Sequence, residues 1–191
     1  FANNAYVAGS ATAARELAGL GAYMSSNVAN IGGSGGANPT GSVPGATART
    51  NGTQTAFTQA DFDTVMQSIW VAGGKADTVY LSSFQMNLAL GFAGNNNQRS
   101  TVQAGDQKVI KSLDVYVTPW GTVEFTPHRE VASRDVYILD NDMFEVAVLR
   151  PTKNTELAKT GDNTTRQVLT ELTLVSKNEK ASGLVADCST S

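Results

Sequence analysis

Residues 135–182 are dense in strand formers and poor in reactive side chains, which commits the C-terminal part of this chain to β-structure built for contact. Two apolar runs, VYIL at 136–139 and FEVAVL at 144–149, flank Asp140, Asn141 and Asp142. The pattern predicts two strands joined by a tight turn. A polar connection follows with Pro151 and Gly161 as breakers, and then a run over 166–176 that is about twice the usual strand length.

Upstream, the pattern changes to helix. Thr58 and Asp61 have the spacing of an N-cap and its N3 partner, a capping box with Asp in place of Glu, and Phe57 and Phe62 fall at the staple positions. Phe62, Val65, Met66, Ile69 and Trp70 recur as one apolar face, and Gly73 with Gly74 supplies the stop. Burying five such side chains contributes on the order of 10 kcal/mol before ordering entropy is subtracted. Residues 78–81 then predict a short buried strand, and Ser82 or Ser83 caps a second helix reaching about Phe92. A polar loop opens at Asn95, and residues 113–118 and 122–126 predict a hairpin around Pro119, Trp120 and Gly121.

Ahead of these elements, residues 10–23 combine helix formers with Gly19 and Gly21, and are expected to form a short helix or the end of a longer one. Residues 30–55 are almost wholly Gly, Ser, Thr, Asn, Ala and Pro, which predicts a mobile loop. Helices early and strands late give an α+β class.

Composition narrows the function. The net charge of −3 offers no basic stripe for nucleic-acid recognition. A single cysteine, Cys188, forms no internal disulfide, and no apolar run is long enough to span a bilayer. Residues 32–36 match the G-x-S-x-G of a nucleophile elbow around Ser34, with His128 the one histidine available as its base. A glycine tract without a buried strand and helix around it makes a poor elbow. Asp140 and Asp142 lack the loop and distal Glu of a calcium site, and are what a turn needs. Gly73, Gly74 and Lys75 come after a helix and before a strand, the reverse of a phosphate loop. Tyr116, Trp120 and Phe125 are expected to pack the core and the hairpin. No catalytic residue, cofactor or metal site follows from these patterns.

The order of motifs is more telling than any one of them. RELAGLGAYMSSNV at 15–28, FTQADFDTVMQSIWVAGGKADTVYLSSFQMNLALGF at 57–92, LDVYVTPWGTVEFTPHR at 113–129, YILDNDMFEVAVLRP at 137–151, ELAKTGD at 156–162 and the NEKASG tail together resemble a tailed-bacteriophage major capsid protein of the Hong Kong 97 fold. The resemblance implies a structural subunit of the virion capsid that self-assembles in the bacterial host cytoplasm into an icosahedral head. Its partners would be other copies of itself in pentamers and hexamers, scaffolding or cement proteins, and packaged double-stranded DNA held without sequence-specific contact, with no membrane involved.

On that template residues 1–29 are the end of a spine helix and a peripheral segment, 30–56 a flexible loop, 57–149 mainly an axial domain, and 150–191 a return to the peripheral domain and tail. An N-terminal arm, an extended loop and most of the spine helix would precede Phe1. Arg150, Lys159 and Asp162 lie in the most family-like segment and are either subunit-interface residues or solvated loop charges. The competing readings are a cellular nanocompartment shell of the same fold, a hydrolase using Ser34 and His128, and a receptor-binding module with the Trp120 aromatics turned to solvent.

Overall fold

A computed structural model describes residues 1–40, 43–92, 115–159 and 161–190. Among these, the regular elements are β1 (Val28–Asn30), α1 (Gln59–Val71), β2 (Thr78–Leu81), α2 (Ser83–Ala89), β3 (Val115–Thr118), β4 (Gly121–Pro127), β5 (Asp135–Leu139), β6 (Phe144–Glu156), β7 (Arg166–Ser176) and β8 (Gly183–Ala186). The class is α+β. The polar loop expected from Asn95 and the first residues of the hairpin strand, Leu113 and Asp114, lie outside the described residues.

Six strands form one mixed sheet in the order β1-β8-β5-β2-β4-β3, with β1–β8 and β2–β4 parallel and the other pairs antiparallel. Alternation along the strands feeds two apolar layers. Val79, Leu81, Val136, Ile138 and Val185 point to the α1 side, where Phe62, Val65, Met66 and Ile69 meet them. Tyr137, Leu139, Leu184 and Ala186 point to the other side, against Met24, Val131 and the partly buried Phe1, Leu20 and Phe144. Central strands β5 and β8 are buried along their whole length, as a sheet covered on both faces requires.

The capping box is present: Thr58 accepts from the Asp61 N–H, and the Asp61 carboxylate accepts from the Thr58 N–H at 3.0 Å. Phe57 and Phe62 are both buried. Gly73 ends the helix at φ +83°, a conformation that only glycine adopts without strain. Trp70 departs from the expected face, being 60 % exposed at the outer end of α1. At about 100° per residue it lies at the flank of the stripe, about 90° from its centre, so Phe62, Val65, Met66 and Ile69 make the buried stripe.

Residues 10–23 form no α-helix; the only helical turn there is the 3-10 turn Leu20–Ala22. Their backbone bonds go instead to the preceding segment, with Val7 and Glu16 bridged antiparallel, Gly19 N–H donating to Asn4 O, and Gly21 N–H to Ala2 O. A Cβ on Gly19 would lie 2.1 Å from Ala2 O, so the glycine that weakens a helix is what lets the two segments touch.

The apolar runs on either side of Asp140 do not form a hairpin. A 3-10 turn, Asn141–Met143, carries the chain from β5 in the large sheet to β6 in a separate two-stranded sheet with β7. β6 also runs through Pro151 to Glu156, where a connection was expected, because the register shifts between Val148 and Lys153 leave the proline outside the ladder. The boundary expected at residue 150 therefore falls inside β6, and β8 returns to the middle of the large sheet.

Candidate functional site

The β6–β7 ribbon stands apart from the sheet body. Its register pairs Phe144 with Ser176, Val146 with Leu174, and Val148 with Leu172, and these pairs share a face with Thr152, Thr170 and Val168. The opposite face is mixed: Glu145, Lys153, Gln167 and the Arg150–Glu171 pair share it with Ala147, Leu169 and Val175. Such alternation belongs to a half-buried sheet. Yet on the apolar face Val146 is 58 %, Val148 55 %, Val168 64 % and Leu172 45 % exposed. A two-stranded ribbon alone is marginally stable in water, so this face is built to be covered.

Among the described residues, two ion pairs lie on the ribbon. Arg150 Nε lies 3.1 Å from Glu171 Oε2, and Lys177 Nζ lies 3.1 Å from Glu145 Oε2. Both pairs are solvated and contribute about 0–1 kcal/mol each. Arg150 thus sits mid-ribbon, while Lys159 and Asp162 are exposed beyond the ends of β6 and β7. The three interface candidates therefore lie in β6 and in the connection after it, and do not form one cluster.

At its base the ribbon is tied down by Lys177 N–H donating to Met143 O at 2.9 Å and Tyr23 Oη–H donating to Leu174 O at 3.4 Å. Beside it opens a groove of about 1010 Å³, with Tyr6, Val7, Leu17 and Tyr23 facing Val148 and Leu172. The N-terminal segment is the far wall.

A second constellation lies within the body. Arg49, from the glycine-rich loop, is fully buried and places Nη2 2.6 Å from Asp135 Oδ1 and Nη1 3.3 Å from Asp187 Oδ1. Arg134 Nη2 lies 2.6 Å from that same Asp187 oxygen. Burial pushes the Asp135 carboxyl up, with Arg49 and Arg134 pulling it the other way. Nothing in the local sequence marks Arg49, which is surrounded by loop formers.

A family model described as SU10 major capsid protein matches residues 1–189. The chain belongs to the SU10 major capsid protein family. No curated protein matches the chain. Membership makes it a structural capsid subunit of the virion, and gives the uncovered ribbon a context in which copies associate.

The structure gives Ser34, His128, Asp140 and the Trp120 hairpin the following surroundings. Ser34 lies in a bend after β1, and the next α-helix, α1, begins only at Gln59, so no elbow forms. His128 N–H donates to Leu81 O, its Nδ1 accepts from the Glu130 N–H, and its ring packs 4.9 Å from that of Phe1. That is a strand-end role. Asp140 Oδ1 accepts from the Asp142 N–H and shapes the turn into the ribbon. Among the described residues no three His, Cys, Asp or Glu side chains group as metal ligands, and no helix is long and apolar enough to cross a membrane. Tyr116 and Phe125 are buried against Phe62, and Trp120 is partly buried, so this hairpin offers no aromatic binding face.

Proposed function

We propose that copies of this subunit associate through the β6–β7 ribbon into the icosahedral head of a tailed phage, a shell of Hong Kong 97 type enclosing double-stranded DNA. The carrying observation is the ribbon's apolar face, rich in β-branched and aliphatic side chains yet left about half exposed within one chain. Completing the burial of Val146, Val148, Val168 and Leu172, each about half exposed, is worth roughly 1 kcal/mol apiece, or ~4 kcal/mol together. That gain is gross, before the translational, rotational and side-chain ordering costs of association are subtracted. One such contact does not hold a dimer. A ring or closed shell that repeats it multiplies the effect without any new contact.

On this reading the ribbon is the peripheral element and the six-stranded body the axial one, meeting its counterparts at the centre of pentamers and hexamers. Arg150, Lys159 and Asp162 set the register of the neighbouring copy, since charges at a rim select alignment more than they add affinity. Scaffolding or cement proteins act on the assembled lattice. The weakly acidic chain keeps no grip on packaged DNA, which is held by enclosure alone.

The test is assembly of the full-length protein at high salt, followed by sedimentation and electron microscopy. Rings or shells are expected from the wild type, and folded, unassembled subunits from a Val148→Asp, Val168→Asp double variant. A wild type that stays monomeric overturns the capsid reading, whereas a double variant that assembles normally overturns the role of the ribbon.

A further inference from the structure

The buried ion cluster takes no part in the ribbon and needs its own account. Four segments remote in sequence meet at Arg49. Asn3 Nδ2 donates to Arg49 O at 2.8 Å while its Oδ1 accepts from the Arg49 N–H at 2.9 Å. Gly52 N–H donates to Asp187 Oδ1 at 2.9 Å, and Gly52 O accepts from Arg134 Nη2 at 2.8 Å. Thr55 runs beside Cys188, its N–H donating to Asp187 O at 2.9 Å and its carbonyl accepting from Ser189 N–H at 2.7 Å.

Residues 43–56 have almost no apolar anchorage. Only Gly45 and Arg49 are buried in that stretch. Segments held by hydrogen bonds and few apolar contacts open locally at lower free energy than a packed sheet. Gly45 is bonded to Tyr6 and Ala22, and Thr50 to Ala37, while the contacts that hold the stretch to the sheet gather at Asp187, a non-glycine residue held at φ +66°, whose left-handed backbone directs its carboxylate back at Arg49, Gly52 and Arg134. Next to Asp187, Cys188, the single thiol of the chain, bridges Thr55 through its backbone and puts its side chain, with no exposure, into the α1-side core.

We infer that residues 43–56 form a strap latched by the Arg49–Asp135–Asp187–Arg134 cluster, which opens together with the C-terminal tail as one unit and uncovers Cys188 while the sheet stays intact. The strap runs straight into the Thr58 cap of α1, so the latch also fixes where that helix begins. The inference is independent of the capsid reading, since it concerns the body alone.

Cys188 serves as a native reporter. Labelling with a maleimide at constant pH is expected to be slow in the wild type, several-fold faster in Asp135→Asn, and at least tenfold faster in Arg49→Met. Circular dichroism should be unchanged, and hydrogen exchange should show protection lost at residues 49–55 and 187–189 but kept in β2 and β5. Arg49→Met labelling at the wild-type rate, or an equal loss of protection in β2 and β5, overturns the latch. If Arg49→Met does not fold, the wild type decides. The amides of Gly52, Thr55, Cys188 and Ser189 must then exchange together and ahead of β5, and unrelated rates overturn the proposal.

Discussion

Asp135 and Asp187 face the same arginines but carry different burdens. Asp187 Oδ1 accepts from Arg49, Arg134 and the Gly52 N–H, so Asp187→Asn leaves two guanidinium groups short of their shared counter-charge. A cost of about 3–5 kcal/mol in urea unfolding is expected. Asp135→Asn keeps an oxygen for Arg49 and removes a carboxylate whose charged form burial disfavours, so its cost is smaller, about 1–2 kcal/mol. The pH dependence separates the two states of Asp135. Its folded pKa lies above the unfolded value, so the folded state binds the proton more readily, and its contribution is greatest below the unfolded pKa and falls as pH rises through the folded one. The stability of wild type relative to Asp135→Asn should therefore decline from about pH 4 towards neutrality and then level off. Arg49 itself was hidden from the sequence because its partners stand 86 and 138 positions away, whereas Thr58 and Asp61 were readable because a cap is local.

At the scale of elements, α1 shows where periodicity is reliable and where it fails. Its stripe through Phe62, Val65, Met66 and Ile69 is buried as the spacing dictates, but the pattern does not say how wide a face is covered, and Trp70 at its flank stays exposed. Ile69→Ala should cost 2–5 kcal/mol in thermal or urea unfolding, and Trp70→Ala within about 0.5 kcal/mol. Strand existence was legible for β2, β5 and β7 because alternation and β-branched side chains are local properties. Partnership was not. Asp140, Asn141 and Asp142 look like a hairpin turn in sequence, yet serve as a 3-10 corner between two sheets, a distinction that only long-range pairing decides.

For the whole molecule, the body folds around two covered layers while the ribbon is exposed on both faces over most of its length. Hydrogen exchange of the isolated subunit should show fast exchange along β6 and β7 and slow exchange in β5 and β8. Protection gained by the ribbon in assembled particles is the expected mark of its role, and its absence there would count against it. The family signature was legible in the order of motifs, because that order spans the chain, whereas the groove and the ion cluster exist only once distant segments are brought together.

The ribbon meets the body where Lys177 N–H bonds to Met143 O at 2.9 Å, so its two chain crossings are already neighbours. In genetic terms it is a cassette. Replacing residues 145–175 with a short Asn–Gly loop, which keeps Phe144 in its apolar layer, should yield a small, well-folded body, and the excised interval could be exchanged between relatives without rebuilding the scaffold that carries it.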